Sequence, residues 1–227
     1  MGGKVLLVGP HSVIEPLGLM ALSKIAAEEG WDPDIELIKP GGFNSLERVI
    51  AHAEPDIVGS SVYTGNHVQT FNWLDNFRPE NPEIKTVIGG PHPTCYPAES
   101  SVHADFTVVS EGLNAFRRIL QGTAEPGIVF PQELEKLPIP NREKFYKTHR
   151  AHGSSKIKSM ITSAGCPFRC GHCYNSVEVR HMADALGERY PELARVLGGP
   201  NSRLFPKSTR DVQDILREVE ELKRVSP

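Results

Sequence analysis

Between residues 4 and 120 the chain alternates short, near-continuous apolar runs with amphipathic stretches, and this alternation limits the fold more than any other feature. The first run, at 4–8, stops at Gly9-Pro10, and further runs follow at 35–38, 57–61, 86–88 and 106–109. Helical patterns separate them. One carries Leu19, Leu22, Ile25 and Ala26; a second carries Leu46, Val49, Ile50 and Ala53. A third carries Val68, Phe71 and Leu74, and the last carries Phe116, Ile119 and Leu120. Strands that are apolar along their whole length are buried on both faces, and helical crossovers between them are what parallel strands require. The pattern predicts an α/β domain over residues 1–122, with a doubly wound parallel sheet.

Such sheets bind ligands beyond the carboxyl ends of their strands, where strand order reverses. In a flavodoxin-like order, 2-1-3-4-5, the loops after the first, third and fourth strands are neighbours. These loops hold Gly9-Pro10-His11-Ser12, then Ser61-Val62-Tyr63-Thr64-Gly65-Asn66-His67, then Gly89-Gly90-Pro91-His92-Pro93-Thr94. Glycines admit a ligand close to the backbone, and the hydroxyls and amides supply hydrogen bonds. A pocket is expected there. No Gly-x-Gly-x-x-Gly fingerprint for a dinucleotide is present.

A second signal lies at 161–175. Cys166, Cys170 and Cys173 are three of the 4 cysteines in the 227-residue chain, gathered in one loop. Thiolates this close favour a soft metal centre. A structural zinc site takes four ligands, usually as two separated pairs, and no second pair exists here. The triplet suits a four-iron cluster with one iron open; zinc with His172 or His181 as fourth ligand is the alternative. Cys95 stands alone and reads as a small half-buried side chain. With most thiols in one cluster, the chain lacks a secreted disulfide framework, and a reducing cytoplasm is expected. The net charge of −3 gives no basic footprint for nucleic acid or an acidic membrane surface. No apolar run approaches the length of a membrane span.

The spacing Cys-x-x-x-Cys-x-x-Cys, with Gly165 before it and Tyr174 after it, resembles the signature of radical S-adenosylmethionine (SAM) enzymes. The resemblance implies a [4Fe–4S] cluster on the three cysteines, SAM on the open iron, and His172 beside the adenine. The stretch 56–63, followed by Gly89-Gly90, resembles the serine and Gly-Gly elements of cobalamin-binding (B12-binding, Rossmann-like) domains. There, Ser61, Tyr63, Thr64, Asn66, Gly89 and Gly90 would accommodate the cofactor's nucleotide tail. The Asp-x-His-x-x-Gly motif of those domains falls where this chain has Gly9-x-His11-x-x-Ile14, without the aspartate or the glycine. The resemblance is therefore to cobalamin-dependent radical SAM enzymes, which commonly hold the cofactor with no histidine on its lower face. Pro16-Leu17-Gly18-Leu19, Gly-Gly-Pro91-His92-Pro-Thr and Ser110-Glu111-Gly112 look typical of that group. Pro10, His11, Pro91, His92, Glu111 and Gly112 complete the expected cofactor surface.

Residues 123–155 are rich in Pro, Gly and charge and are expected to be a linker, with 134–142 resembling the connector of these enzymes. A strand at 156–161, the cysteine loop and a terminal helix at 212–222 would form the first βα unit of a partial TIM-type barrel over 156–227. A helix broken at Pro191 is expected within 177–197, and Ser208-Thr209-Arg210-Asp211 reads as a capping box. The later barrel strands have no counterpart, so the chain reads as the start of a larger enzyme with a C-terminal half missing. The implied activity is methyl transfer through a 5′-deoxyadenosyl radical and methylcobalamin. A small-molecule or peptide substrate would be the acceptor, and flavodoxin or ferredoxin would serve as reductant. A non-catalytic cobalamin carrier with a structural metal loop is the alternative.

Overall fold

Val5, Leu6, Leu7 and Val8 are each no more than 2% exposed, which only a strand covered on both faces allows. The computed structural model describes residues 2–39 and 41–226. These four residues form the middle of β1 (Lys4–Pro10), which is followed by α1 (Leu17–Glu28), β2 (Asp32–Ile38) and α2 (Phe43–Ala53). Next come β3 (Ile57–Ser61), α3 (His67–Glu80), β4 (Lys85–Gly89) and the short helices α4 (Pro91–Cys95) and α5 (Pro97–Ser100). The sheet domain finishes with β5 (Phe106–Val108), α6 (Gly112–Leu120) and β6 (Gly127–Val129). The strands form one parallel sheet in the order β2-β1-β3-β4-β5-β6. This is the expected flavodoxin-like, doubly wound architecture, with order reversing between β1 and β3.

Side chains alternate across the sheet as the pleat demands. Val5 and Leu7 pack with Met20, Ile25, Phe116 and Ile119 of α1 and α6. Leu6 and Val8 pack with Leu46, Ile50, Phe71 and Leu74 of α2 and α3 on the opposite face. Two apolar layers therefore fix the strands, and the loops at their carboxyl ends are left to do other work.

The remaining chain departs from expectation in four places. First, the predicted linker contributes β6, which pairs with β5 from Phe106↔Gly127 to Val108↔Val129, and then forms α7 (Arg142–Thr148) and α8 (Arg150–Ser154). Second, no strand forms at 156–161. A barrel strand needs parallel neighbours to take its backbone groups, and here side chains take them instead. Ser159 N–H donates to Glu15 Oε2 (2.7 Å) while its carbonyl accepts from Arg142 (2.8 Å), and the Ile161 carbonyl accepts from Arg210 (3.0 Å). The chain makes only a two-residue β7 (Ser163–Ala164), antiparallel to β8 (Ser208–Thr209).

Third, the helix expected at 177–197 is broken well before Pro191. Short 3₁₀ turns, α9 (Ala183–Leu186) and α10 (Tyr190–Leu197) take its place, with Pro191 in the first turn of α10, where a missing N–H costs nothing. Fourth, the cap of α11 (Val212–Val225) is Asp211 alone, accepting from Gln213 N–H at 2.7 Å, because Ser208 and Thr209 are in β8. The segment containing α9 and α10 buries Val179, Met182, Leu193 and Leu204 against Val109 and Phe130, at the carboxyl ends of β5 and β6. It is a cap on that half of the sheet edge. No helix among the described residues is long and apolar enough to cross a membrane.

Candidate functional site

The half of the carboxyl edge that α9 and α10 do not cover is built by the loops after β1, β3 and β4. After β1, Pro10 and His11 are exposed, Val13 is 92% and Ile14 64% exposed, and Ser12 Oγ accepts from Ile14 N–H. After β3, Asn66 Oδ1 accepts from Tyr63 N–H at 2.8 Å, closing a tight turn that leaves Tyr63 and Thr64 exposed. Large apolar side chains standing in solvent on adjacent loops are the kind of surface that a flat, partly apolar ligand covers. The expected residues Pro10, His11, Tyr63, Thr64 and Asn66 lie on the loops of neighbouring strands at this edge, with Ser61 partly buried.

The glycine pair has a different explanation from the expected one. Gly90 has φ +104, and a Cβ there would come within 3.0 Å of the Val62 carbonyl and 3.3 Å of Ser61 Oγ. A Cβ at Gly89 would meet Val108 at 3.4 Å. Both positions face protein. They let β4 turn into α4 against the β3 loop, where Val62 N–H donates to the Gly89 carbonyl (2.8 Å) and His92 N–H to the Val62 carbonyl (3.1 Å). Open space lies instead at Gly65, which has no atom within 4 Å of its Cβ position. Pro91 begins α4, and His92 is turned inward, 3% exposed.

After β5, the chain is committed to internal structure. Ser110 adopts φ +74, held by Thr94 Oγ1, which accepts its N–H (3.1 Å), and by the Leu204 carbonyl, which accepts its hydroxyl (2.5 Å). Glu111 caps α6, accepting from Leu113 N–H, and Gly112 follows as the first helical residue. Burial pushes the Glu111 carboxyl up to about 7, against the hydrogen bonds from Leu113 and Asn114 N–H. Its Oε2 is buried with no partner.

The cysteine loop is fixed by residues far along the chain. Gly165 has φ +73, and a Cβ there would strike the Pro206 carbonyl at 2.7 Å. Arg203 donates to the Cys166 carbonyl and to the Pro167 carbonyl (3.0 Å). Arg169 pairs with buried Glu178, and Ser176 Oγ–H donates to the Cys170 carbonyl (2.7 Å). Cys170 is exposed, while Cys166 and Cys173 are half-buried. Among the described residues, the thiolates do not converge with His172 or His181 on a zinc-sized point. His172 is exposed, and His181 Nδ1 accepts from Glu178 N–H instead. The loop is tied to the end of β5: Tyr174 packs edge-on against Phe205, with ring centroids 4.9 Å apart, and Phe205 lies against the cluster that contains Val109 and Phe130. Burial raises the Tyr174 pKa.

A buried charge network ties that loop to the loop after β1. Arg142 is 0% exposed and donates to Glu15 Oε2 (3.0 Å), to Tyr146 Oη (3.3 Å) and to Glu218. Arg210 donates to the other oxygen of Glu218. Tyr146 donates to Glu15, and its phenol is pushed up to about 12 by burial and by that carboxylate. Burial works against the Arg142 charge, but the Glu218 hydrogen bond, Tyr146 and Glu15 outweigh it and raise its pKa. Arg142 and Arg210 balance Glu15 and Glu218, and together they hold residues 159–161, immediately before the cysteines. Nothing in the sequence marks this network beyond Arg142 at the end of the connector-like stretch. Its members are separated by up to 127 and 76 positions from Arg142.

The family match agrees with the fold. A family model described as the B12 binding domain matches residues 3–120, more than half of the chain. An uncharacterized methyltransferase of Pyrococcus horikoshii is 24% identical over 191 residues, covering 72% of this chain and 41% of its own length. The chain thus spans less than half of that relative. A cobalamin-binding protein from Desulfitobacterium hafniense superposes with a TM-score of 0.32 at 18% identity, over 38% of this chain and 43% of its own. A CheY-like protein from Pseudomonas aeruginosa gives 0.34 at 11% identity, over 69% and 98%. Both are loose superpositions.

Proposed function

Because the chain belongs to the B12-binding domain family through residues 3–120, we propose that it is the cobalamin- and [4Fe–4S]-binding portion of a radical SAM methyltransferase. One observation carries the reading: the loop bearing Cys166, Cys170 and Cys173 is tied to the carboxyl end of β5, since Arg203 donates to the Cys166 carbonyl while the neighbouring Leu204 carbonyl accepts from Ser110, and Tyr174 packs on Phe205. A cluster there would share the carboxyl edge of the sheet with a cofactor held by Val13, Ile14 and Tyr63. The donor set fits an iron–sulfur cluster, since three thiolates on a short loop with no fourth protein ligand leave one iron for an outside molecule. When bound, the cluster would supply an electron to SAM, and cobalamin would supply a transferable methyl group.

The chain's own residues do the holding. Arg203, Glu178 and Ser176 fix the backbone of the cysteine loop, so the thiolates are presented without first ordering the segment. His172 is exposed on that loop and is the residue that would stack on adenine. The carboxylate of the His11 loop, Glu15, is taken by Arg142, Tyr146 and Ser159, so none is left to orient His11, and on this reading His11 would not serve as a ligand to cobalt. The exposed apolar loop tips would shield such a cofactor from water, and the open surface at Gly65 would leave it room. The substrate class stays a small molecule or peptide, and flavodoxin or ferredoxin stays the reductant.

The test is anaerobic reconstitution with iron and sulfide, followed by titration with hydroxocobalamin. Four irons, four sulfides and one cobalamin per chain are expected, and His11→Ala should leave the visible spectrum of bound cobalamin unchanged. Cobalamin bound without stoichiometric sulfide would favour the carrier module and overturn the enzymatic reading.

A further inference from the structure

A buried imidazole nitrogen without a partner lies beneath the loop after β3. His92, on α4, is 3% exposed, and its Nε2 has no hydrogen-bond partner. Its Nδ1 is 3.2 Å from Thr64 Oγ1. His67, the first residue of α3, stacks on it with ring centroids 4.1 Å apart and 24° between the planes. The Nδ1–H of His67 donates to the Thr64 carbonyl. A carbonyl only accepts, so this bond fixes the His67 tautomer and leaves a lone pair on Nε2. Thr64 holds both rings by the same nitrogen, and both Nε2 atoms therefore point away from it. Glu99 of α5 reaches that side, with Oε2 3.8 Å from His92 Nε2. One ligand atom from each of the three residues lies within 4.8 Å of the others.

We infer that His67, His92 and Glu99 form a site for a zinc-class divalent metal ion, separate from the cysteine loop, with Thr64 orienting both imidazoles. Two imidazoles and one carboxylate are a donor set suited to zinc, cobalt or nickel, and three protein ligands leave a position open. Ligating histidines ordinarily donate their second N–H to a carbonyl or another oxygen, the role Thr64 fills twice. A metal takes the neutral ring. Burial first, and then the neighbouring His67, lowers the pKa of His92, with Glu99 working the other way. Ligands about 2.0–2.1 Å from a common ion stand closer together than these do. The closure is available, because the Glu99 side chain is 53% exposed and His67 is only half-buried. An ordinary ion pair does not account for the arrangement: at 3.8 Å, Glu99 leaves His92 Nε2 without a hydrogen bond.

The sequence alone could not pair these residues. His67, His92 and Glu99 sit on three different helices, and only the passage of the chain through β4 brings them together.

The experiment uses the chain with Cys166, Cys170 and Cys173 all replaced by alanine, so that thiolates cannot take the ion. Titration with Co2+ is expected to give visible d–d bands without a thiolate charge-transfer band, at one ion per chain, reversed by Zn2+. His67→Gln and Glu99→Gln, both at partly exposed positions, should each weaken Co2+ binding at least 10-fold, an order-of-magnitude expectation for a lost ligand. Thr64→Val should weaken it by about 10–100-fold through the lost ring orientation, with unchanged far-UV circular dichroism. Absence of a one-to-one complex at micromolar Co2+, or binding that His67→Gln and Glu99→Gln leave intact, would overturn the assignment.

Discussion

Replacing Arg142 with methionine tests whether the buried charge network holds the cysteine loop in place. Methionine keeps much of the side-chain volume and removes the cation, which is 0% exposed. Glu218 retains Arg210, so the carboxylate left without a cation is Glu15, itself only 6% exposed. Removing one partner of a buried pair costs about 3–5 kcal/mol, because the other charge stays desolvated. For a chain of this size, each kcal/mol moves the midpoint by roughly 2–4 °C, so a fall of about 6–20 °C is expected. Glu15→Gln in the Arg142→Met background should return about 1–3 kcal/mol, the size of a direct coupling, since the amide needs no cation. The amide of Ser159, which donates to Glu15 Oε2 at 2.7 Å, should lose hydrogen-exchange protection in Arg142→Met ahead of the sheet amides. Thermal unfolding by circular dichroism, with hydrogen exchange resolved at 157–162, measures all three. A loss under about 1 kcal/mol, or a double variant worse than Arg142→Met by the full Glu15→Gln cost, would refute the reasoning, because charges in a working network are not independent.

Three further expectations are simpler. Glu111 has its folded pKa raised from 4.5 to about 7 by burial, so the folded state binds a proton more tightly than the unfolded one. Its contribution is fully present below pH 4.5 and is lost as pH rises through 7. Glu111→Gln should flatten that part of the stability–pH curve, and an unchanged slope would show that the carboxyl is ionised throughout. Alanine at Cys166, Cys170 or Cys173 should abolish stable iron incorporation while Cys95→Ala leaves it intact, as read by iron and sulfide analysis; iron retained by Cys170→Ala would contradict the ligand set. Gly90→Ala should cost about 1–3 kcal/mol in the cofactor-free protein, for its positive φ and the close Val62 carbonyl, and clearly more than Gly89→Ala; equal costs in urea melts would argue against a purely backbone role.

The doubly wound parallel sheet is legible because β1, β3, β4 and β5 have mostly apolar, buried centres, which suits a sheet covered on both faces; the strand order itself enters as the flavodoxin-like expectation. Three residues are too few to show a period, so β6, in a stretch of Gly and Pro, read as linker. Its identity as a strand depends on the free edge of β5. Residues 156–161 failed for the opposite reason: their composition suits a strand, but among the described residues no neighbouring strand pairs with them, and Glu15, Arg142 and Arg210 take the backbone instead. At the site, the loop position of residues such as His11 and Tyr63 is legible, since strand ends define where loops must be, and both are exposed there. The direction of a side chain is not. His92 and Gly90 are expected to face the cobalamin pocket, and both turn toward the β3 loop instead. Glu111 lies in a typical-looking phrase, but its carboxylate is occupied as a helix cap.

The pairing of β6 with β5 also bears on where the domain can be cut. The family match ends at residue 120, whereas hydrogen bonding of the sheet continues to Val129. A fragment ended at the match would bare the β5 strand, Phe106–Val108, whose residues are all buried in the intact chain. Bare edges of that kind recruit other strands. The smallest exchangeable unit is therefore longer than the recognisable one. A graft of this domain into another protein has to carry the segment through Val129, or provide an edge strand of its own.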